Sequence, residues 1–145
     1  NLDDFSYDWY SGIVEHLKKL STTYFKEEIR TKTNSYSSQQ TGISFEKECI
    51  DILSSNSWVC KSTPVSGDQG ADIIATKGPL KMVLQCKNYK QNVGNDAVQQ
   101  VFAAKSHYDA TIAGVVAING YTSSARNLAK STGVMLMDLN DLREM

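Results

Sequence analysis

The fold of this chain is decided by residues 66–87, whose sequence is SGDQGADIIATKGPLKMVLQCK. Two apolar segments in this stretch flank Gly78-Pro79, a dipeptide typical of a tight turn between antiparallel strands. If the strands turn there, Asp72 lies opposite Gln85. Alternate residues of a strand share a face, so Gln85 and Lys87 lie together. The sequence therefore predicts a carboxylate, an amide oxygen and an ammonium at one sheet edge, a trio that suits a hard divalent cation beside a lysine that steadies a water or hydroxide.

Several further motifs surround this trio in a fixed order. They are Gly42-x-x-Phe45-Glu46, the run Gly67-Asp68-Gln69-Gly70-Ala71, Asn88-Tyr89, Val93-Gly94 and Ala125-Arg126-x-Leu128-Ala129. Together with Asp72 and Gln85-x-Lys87, the set resembles the catalytic core of the PD-(D/E)xK nucleases, specifically their Mrr-like restriction endonuclease branch, in which glutamine replaces the second acid (the QxK variant). The resemblance covers the chain from about residue 41 to the C-terminus. It implies a DNA endonuclease that uses Mg²⁺, for which Mn²⁺ can substitute.

The resemblance also implies a role for each member of the trio. Asp72 would be the main anionic metal ligand, Gln85 a neutral ligand through its amide oxygen, and the backbone carbonyl of Cys86 a third ligand. Lys87 would orient the attacking water and stabilise developing charge. The alternative for Lys87 is a structural ion pair with Asp72, because an ammonium on an apolar strand needs an anionic neighbour. Since one carboxylate is missing relative to a D…ExK site, we expect weaker metal binding unless another acid contributes.

Glu46 is the candidate for that further acid, as a catalytic residue and metal ligand. It precedes Ile50 and Leu53 by four and seven positions, a spacing that turns its side chain toward the inner face of a helix. Two interpretations stay open at this point. The resemblance favours a catalytic carboxylate, whereas first-turn acids are also common because they stabilise the helix dipole.

Four polar residues near the trio are candidates for DNA binding. Asn88, Tyr89 and Lys90 follow the trio directly and could contact the DNA backbone, and Gln99 could line the cleft. For Gln99, a capping box with Asp96 at the start of a helix is an equal alternative.

The composition indicates one ordinary globular domain. The chain has 145 residues, of which 41% are hydrophobic and 21% charged. No apolar run approaches the roughly 20 residues that span a bilayer, and no signal-peptide pattern opens the chain, so we expect a cytoplasmic protein without a membrane partner. Three cysteines without CxxC spacing indicate neither a disulfide framework nor a zinc site.

The charge is balanced overall but uneven along the chain. Fifteen basic and sixteen acidic residues give a net charge of -1, whereas nucleic-acid-binding domains commonly carry a basic face. Residues 73–95 contain no acid but include Lys77, Lys81, Lys87 and Lys90. This distribution predicts a positive field around the trio, the alternative being that Lys77 and Lys81 only solubilise a hairpin tip.

Two regions differ in pattern. In residues 1–40, apolar side chains recur at helical spacing between Tyr7 and about Thr31, and a polar linker follows. Residues 41–145 form the predicted nuclease domain. The N-terminal helix could be the tail of a preceding domain, a dimerisation arm or a cap on the core. We expect it to pack on the core, because amphipathic helices usually bury their apolar stripe locally.

The domain is predicted to be α/β, with a restriction-endonuclease-like mixed central sheet flanked by helices. The element order is αβββαβαβ, an αβββαβ core plus an extra αβ, after the N-terminal helical extension. The expected elements are a helix from Ser44 to about Ser55, strands at Trp58–Cys60, Ala71–Ala75 and Leu80–Cys86, a helix from Asn95 or Asp96 to about Tyr108, a strand at Thr111–Ile118, a helix capped by Thr122 or Ser123, a strand at Val134–Met137 and a C-terminal turn or helix from Asn140.

The resemblance, taken with these observations, implies a metal-dependent endodeoxyribonuclease that cuts double-stranded DNA, in restriction or defence. In the family that the chain resembles, such cores usually act with a separate recognition or regulatory domain, which would lie outside this sequence, and cutting both strands favours a homodimer. Two alternatives stay open: a catalytically silent DNA-binding or assembly module with the same fold, and a structure-specific nuclease similar to the Holliday-junction resolvases. A preference for branched DNA would identify the second.

Overall fold

The computed structural model describes residues 11–19, 42–64 and 69–145. Residues 11–19 are helical and are called α1. The elements that follow are α2 (Gly42–Ser55), β1 (Val59–Ser62), β2 (Ile73–Lys77), β3 (Leu80–Lys87), α3 (Asn95–His107), β4 (Ile112–Ala117), α4 (Ser123–Thr132), β5 (Met135–Met137) and α5 (Leu139–Arg143). The predicted order is therefore confirmed from α2 onward, with a short helix at the C-terminal end.

The five strands form one mixed sheet in the order β1-β2-β3-β4-β5. The first three strands are antiparallel neighbours, and β4 and β5 are added in parallel to β3. Lys77 pairs with Leu80 across the predicted turn, and the β2–β3 register continues to Ile73 opposite Leu84. Gly78 sits at the turn with φ of 57°, a conformation that glycine adopts without steric cost. The hairpin and its register are those that the sequence predicts.

Helices cover both faces of the sheet, and the sheet separates two hydrophobic clusters. The first cluster lies under α1, α2 and α5 and includes Phe45, Leu53, Met82, Leu84, Met137 and Leu142. The second lies under α3 and α4 and includes Val83, Val98, Val101, Val115, Ala125 and Leu136. Since Leu84 and Val83 belong to opposite faces, the alternation continues to the end of β3. Cys86 packs against the first cluster, and Gln85 and Lys87 continue the face of Val83.

The described part of the N-terminal extension packs on the first cluster. Ile13 is buried there, Leu17 packs beside it, and His16 Nε2 lies 3.7 Å from Glu144 Oε2. The remainder of the predicted helix between Tyr7 and Thr31, and the polar linker, lie outside the described residues. The boundary between residues 40 and 41 stays a prediction.

The helix ends follow the sequence in one case and depart from it in another. Thr122 caps α4 by accepting a hydrogen bond from the Ala125 N–H at 3.1 Å, as predicted. The predicted capping box of Asp96 with Gln99 is wrong, because α3 starts at Asn95, two residues before a helix capped by Asp96 would start, and has Gly94 as its N-cap without a side-chain cap bond. Among the described residues, none of the helices is long and apolar enough to cross a membrane.

Candidate active site

Asp72 lies just before β2 and is bonded to β3 on both sides of Gln85. Its backbone N–H donates to the Leu84 carbonyl at 2.8 Å, and its Oδ2 accepts the Cys86 N–H at 2.8 Å. Its own carbonyl accepts the Thr63 N–H at 2.9 Å. The carboxylate is therefore fixed beside Gln85 at the edge where the regular β2–β3 pairing ends, the position that the hairpin register predicts.

Gln85 is the buried polar side chain of this structure, at least over the residues described, with 6% of its surface exposed. Its hydrogen-bond partners determine how the amide is turned. When the amide is assigned so that each of its two atoms meets a complementary partner, its nitrogen donates to the Gly70 carbonyl at 2.8 Å and its oxygen accepts from Lys87 Nζ at 3.2 Å. The amide oxygen is thus directed toward the lysine, as a ligand in a shared polar site would be.

Lys87 is held by groups on either side of it along the chain. Besides the bond to Gln85, its Nζ donates to the Tyr89 hydroxyl at 3.2 Å and lies 5.3 Å from the centre of the Tyr89 ring. Tyr89 is 45% exposed. The sequence predicts Tyr89 as a DNA contact but carries no signal for this contact with Lys87, because it depends on side-chain rotamers at the end of the strand.

The loop that leads into Asp72 approaches α3 closely at Gly70. A Cβ on Gly70 would lie 2.4 Å from the backbone oxygen of Gln100, and its φ is +86°. Both facts require glycine. Gln69, the residue before it, also has a positive φ of 54°. Asp68, which the sequence favours as a turn residue, lies outside the described residues.

Cys86 connects the site to the other face of the sheet. The pKa of its thiol is raised well above the usual range, first by a hydrogen bond with the Cys49 thiol, then by burial, with further contributions from the negative charges of Asp72 and Glu46. The thiol is therefore protonated at neutral pH in the metal-free fold, which makes it a poor nucleophile. Glu46, half-buried on α2, lies near enough to this end of β3 for its charge to act on Cys86.

The four DNA-binding candidates differ in position. Asn88 is half-buried, whereas Tyr89 and Lys90 are exposed in the loop after β3, and Gln99 is exposed on α3. The Asn119 side chain donates to the Tyr89 carbonyl and so ties this loop to the loop after β4. No pattern in the sequence predicts this bond.

The starts of α3 and α4 lie side by side at this end of the sheet. Val93 and Tyr121 form a parallel bridge, and Asn95 Nδ2 lies 3.2 Å from Ser124 Oγ. The loops after β3 and β4 therefore form one surface beside the trio.

The lysines of residues 73–95 do not all surround the trio. Lys77 lies at the opposite end of β2 from Asp72, about 16 Å away at the rise of an extended strand. Its Nζ lies 5.8 Å from the Trp58 ring centre and donates to the Met145 carbonyl at 3.4 Å. Lys81 pairs with Thr76 near the same turn. The prediction of a positive field from all four lysines is wrong for these two, which belong to the hairpin tip.

The donor set at the trio fits a hard cation. Asp72 offers a carboxylate, Gln85 an amide oxygen and Cys86 a neighbouring backbone carbonyl, which are oxygen ligands of the kind Mg²⁺ prefers. In the part of the chain that the structure describes, no group of three His, Cys, Asp or Glu side chains is placed to hold a metal ion by itself. A cation here would therefore be held by few protein ligands and keep several waters.

The family comparison agrees with the motif set. A family model described as restriction endonuclease, of the Mrr catalytic type, matches residues 37–145. The chain therefore belongs to this restriction endonuclease family, as the sequence predicts. Membership supports a role as a DNA nuclease. No curated protein matches the chain.

Solved structures resemble the fold at low identity. A protein of unknown function, AF1548, is 14% identical with a TM-score of 0.54, over 65% of this chain and 57% of its own. The DNA modification-dependent restriction endonuclease AspBHI is 18% identical with a TM-score of 0.53, over 90% of this chain and 34% of its own. The MspJI restriction endonuclease, solved with a 27-mer oligonucleotide, is 16% identical with a TM-score of 0.47, over 88% of this chain and 29% of its own. The first two similarities support the predicted fold class, and the chain spans only part of the length of all three proteins.

Proposed function

We propose that this domain is a metal-dependent endodeoxyribonuclease that hydrolyses phosphodiester bonds of double-stranded DNA in restriction or defence. The observation that carries the proposal is the meeting of Asp72, Gln85 and Lys87 at the end of β3, in a chain of a restriction endonuclease family. Each group has a partner that fixes its direction, as preorganised chemistry requires.

Asp72, Gln85 and the Cys86 carbonyl would hold Mg²⁺ or Mn²⁺, and Glu46 would supply a second negative charge from α2. When bound, the cation would polarise the scissile phosphate and favour deprotonation of a water. The bond from Cys86 N–H to Asp72 Oδ2 keeps the carboxylate at the strand edge. The bond from the Gln85 amide nitrogen to the Gly70 carbonyl directs the neutral ligand oxygen to the same place.

Lys87 would act on the reacting groups directly. Its ammonium is positioned by Gln85 and Tyr89, so it can orient a water and stabilise the negative charge that develops on the phosphate oxygens. Removing a preorganised donor of this kind costs about 10²–10³ in rate in other enzymes.

Asn88, Tyr89, Lys90 and Gln99 would contact the DNA backbone beside this site. Such contacts position the duplex without reading its sequence. Because the chain has a net charge of -1 and its other two lysines of residues 73–95 lie at the hairpin tip, we propose that sequence recognition requires a further domain or a second copy of the chain.

The test is plasmid cleavage with Mg²⁺ or Mn²⁺ by the wild-type chain and by Asp72→Ala and Lys87→Ala. Asp51→Ala on the exposed face of α2 and Lys61→Ala on β1 are the matched controls, and EDTA is the metal control. We expect nicking or linearisation that both site variants and EDTA abolish and both controls retain. Cleavage that survives Asp72→Ala would refute the proposal.

The alternatives give different outcomes in the same experiment. DNA binding without cleavage under any metal condition would favour a silent binding module. Cleavage restricted to four-way junctions, with linear duplexes of the same sequence intact, would favour a structure-specific nuclease.

A further inference from the structure

We propose that Gly70 is a positioning residue whose backbone carbonyl specifies an amide at position 85 and turns the amide oxygen toward Lys87. The catalytic consequence rests on the proposed function, whereas the orientation itself concerns only the folded chain. On this interpretation, glutamine at position 85 is matched to its neighbour rather than being merely a weakened second acid.

The Gly70 carbonyl has little freedom to turn away. Its residue has a φ of +86° and is pressed against the backbone of Gln100 in α3. The next two carbonyls are also held, because Thr63 Oγ1 donates to the Ala71 carbonyl at 2.5 Å and Thr63 N–H donates to the Asp72 carbonyl. Gly70 therefore presents a fixed acceptor to the buried side chain of residue 85.

A carbonyl oxygen only accepts hydrogen bonds, so a buried group facing it must donate. The Gln85 amide meets this demand with its nitrogen at 2.8 Å, and its oxygen is left to face Lys87. An ionised glutamate would instead place an oxygen against the Gly70 oxygen with no proton between them. In a position that is 6% exposed, this contact disfavours the charged form.

The expected result for Gln85→Glu is therefore a raised pKa of the new carboxyl in the metal-free fold. A folded-state pKa above the unfolded value contributes stability that is present at low pH and is lost as pH rises. Two carboxylates act in the same direction as the Gly70 carbonyl: Asp72, which accepts the Cys86 N–H beside position 85, and Glu46 on α2. Lys87 acts in the opposite direction, but its side chain is partly exposed and solvent reduces the attraction. We therefore expect the Tm of Gln85→Glu to fall progressively below that of the wild type between about pH 5 and pH 8, until the difference is about 5 °C.

The first experiment is thermal unfolding in EDTA between pH 4.5 and 8.5. Gln85→Glu and Gln91→Glu are each made in the wild type and in Asp72→Asn, which removes the neighbouring charge and keeps an oxygen for the Cys86 N–H. Gln91→Glu makes the same chemical change at an exposed position of the loop after β3. The proposal predicts that Gln85→Glu lowers the Tm increasingly as pH rises in both backgrounds, and that Gln91→Glu has no effect of that size. Equal pH profiles, or an effect of Gln85→Glu that disappears in Asp72→Asn, would overturn it.

The second experiment measures Mg²⁺ affinity by calorimetry at pH 8. At an unconstrained site, an added carboxylate would increase the Mg²⁺ affinity. In Gln85→Glu the new carboxylate faces the Gly70 carbonyl, so we expect the affinity for Mg²⁺ to rise less than threefold over that of the wild type. A tenfold or greater gain would contradict the proposal. Both experiments succeed or fail independently of DNA cleavage, so an inactive wild type would refute the proposed function without deciding this inference.

Discussion

Tyr89 offers a direct test of how Lys87 is held. Tyr89→Phe removes the hydroxyl that accepts from Lys87 Nζ at 3.2 Å and keeps the ring at 5.3 Å. A hydrogen bond to a charged group contributes about 1.5–3 kcal/mol, but solvent reduces this value at a partly exposed pair to about 0.5–1 kcal/mol. If the bond acts in the transition state, kcat falls about two- to fivefold.

Removing the ring as well should increase the loss. Tyr89→Ala also removes the cation–π contact, which adds about 0.5 kcal/mol at an exposed site, so the fall in kcat should reach about five- to tenfold. The assay is steady-state cleavage of a fluorescent duplex, with kcat and KM measured separately. Tyr108→Phe, at the far end of α3, is the matched control.

The separation of kcat from KM decides between two roles for Tyr89. A positioning role lowers kcat in both variants and leaves KM nearly unchanged. The DNA contact that is also proposed for Tyr89 would raise KM, so a residue with both roles would lower kcat and raise KM together. An increase in KM at constant kcat would refute the positioning role of Tyr89.

Three further predictions concern the protein around the site. Gly114→Ala should cost about 1–3 kcal/mol, because its Cβ would lie 2.6 Å from Met137 Cε and 2.9 Å from Leu84 Cδ2, and both side chains are fully buried. An unchanged Tm would contradict this prediction. Tyr121→Phe should cost about 1–3 kcal/mol in denaturant unfolding, because the buried hydroxyl accepts the Met137 N–H at 3.1 Å and donates to a backbone carbonyl; a neutral effect would show that the N–H finds another partner. The thiol of Cys86 should react with iodoacetamide more slowly than that of Cys60 in peptide mass mapping at pH 7.5, since its pKa is raised further; faster modification of Cys86 would refute that assignment.

The hairpin could be predicted because two local rules act together. Gly78-Pro79 fixes the turn, and the period of two then decides which side chains share a face, so the pairing of Lys77 with Leu80 follows without knowledge of the rest of the fold. The buried β4 and the Thr122 cap were predictable for similar local reasons.

The contacts that complete the site could not be predicted in this way. The bond from Gln85 to Gly70 depends on how closely a loop approaches α3, and the contact of Lys87 with Tyr89 depends on rotamers at a strand end. The charge distribution along the sequence was also misleading, because a strand carries Lys77 far from the trio. Lysines that are close in sequence create a shared positive field only where the chain between them is not an extended strand.

The residues of the proposed site lie against the helices on both faces of the sheet. This arrangement bears on how the carboxylate that is absent at position 85 can be replaced. Gln85 and Lys87 continue the face covered by α3 and α4, whereas Cys86 faces α2, from which the charge of Glu46 acts on it. Asp72 joins the two sides through its bond to the Cys86 N–H. On the proposed function, Glu46 would supply the second negative charge to this strand end from the opposite face of the sheet. Position 85 would then be able to keep an amide, whose nitrogen bonds to the Gly70 carbonyl, without loss of that charge.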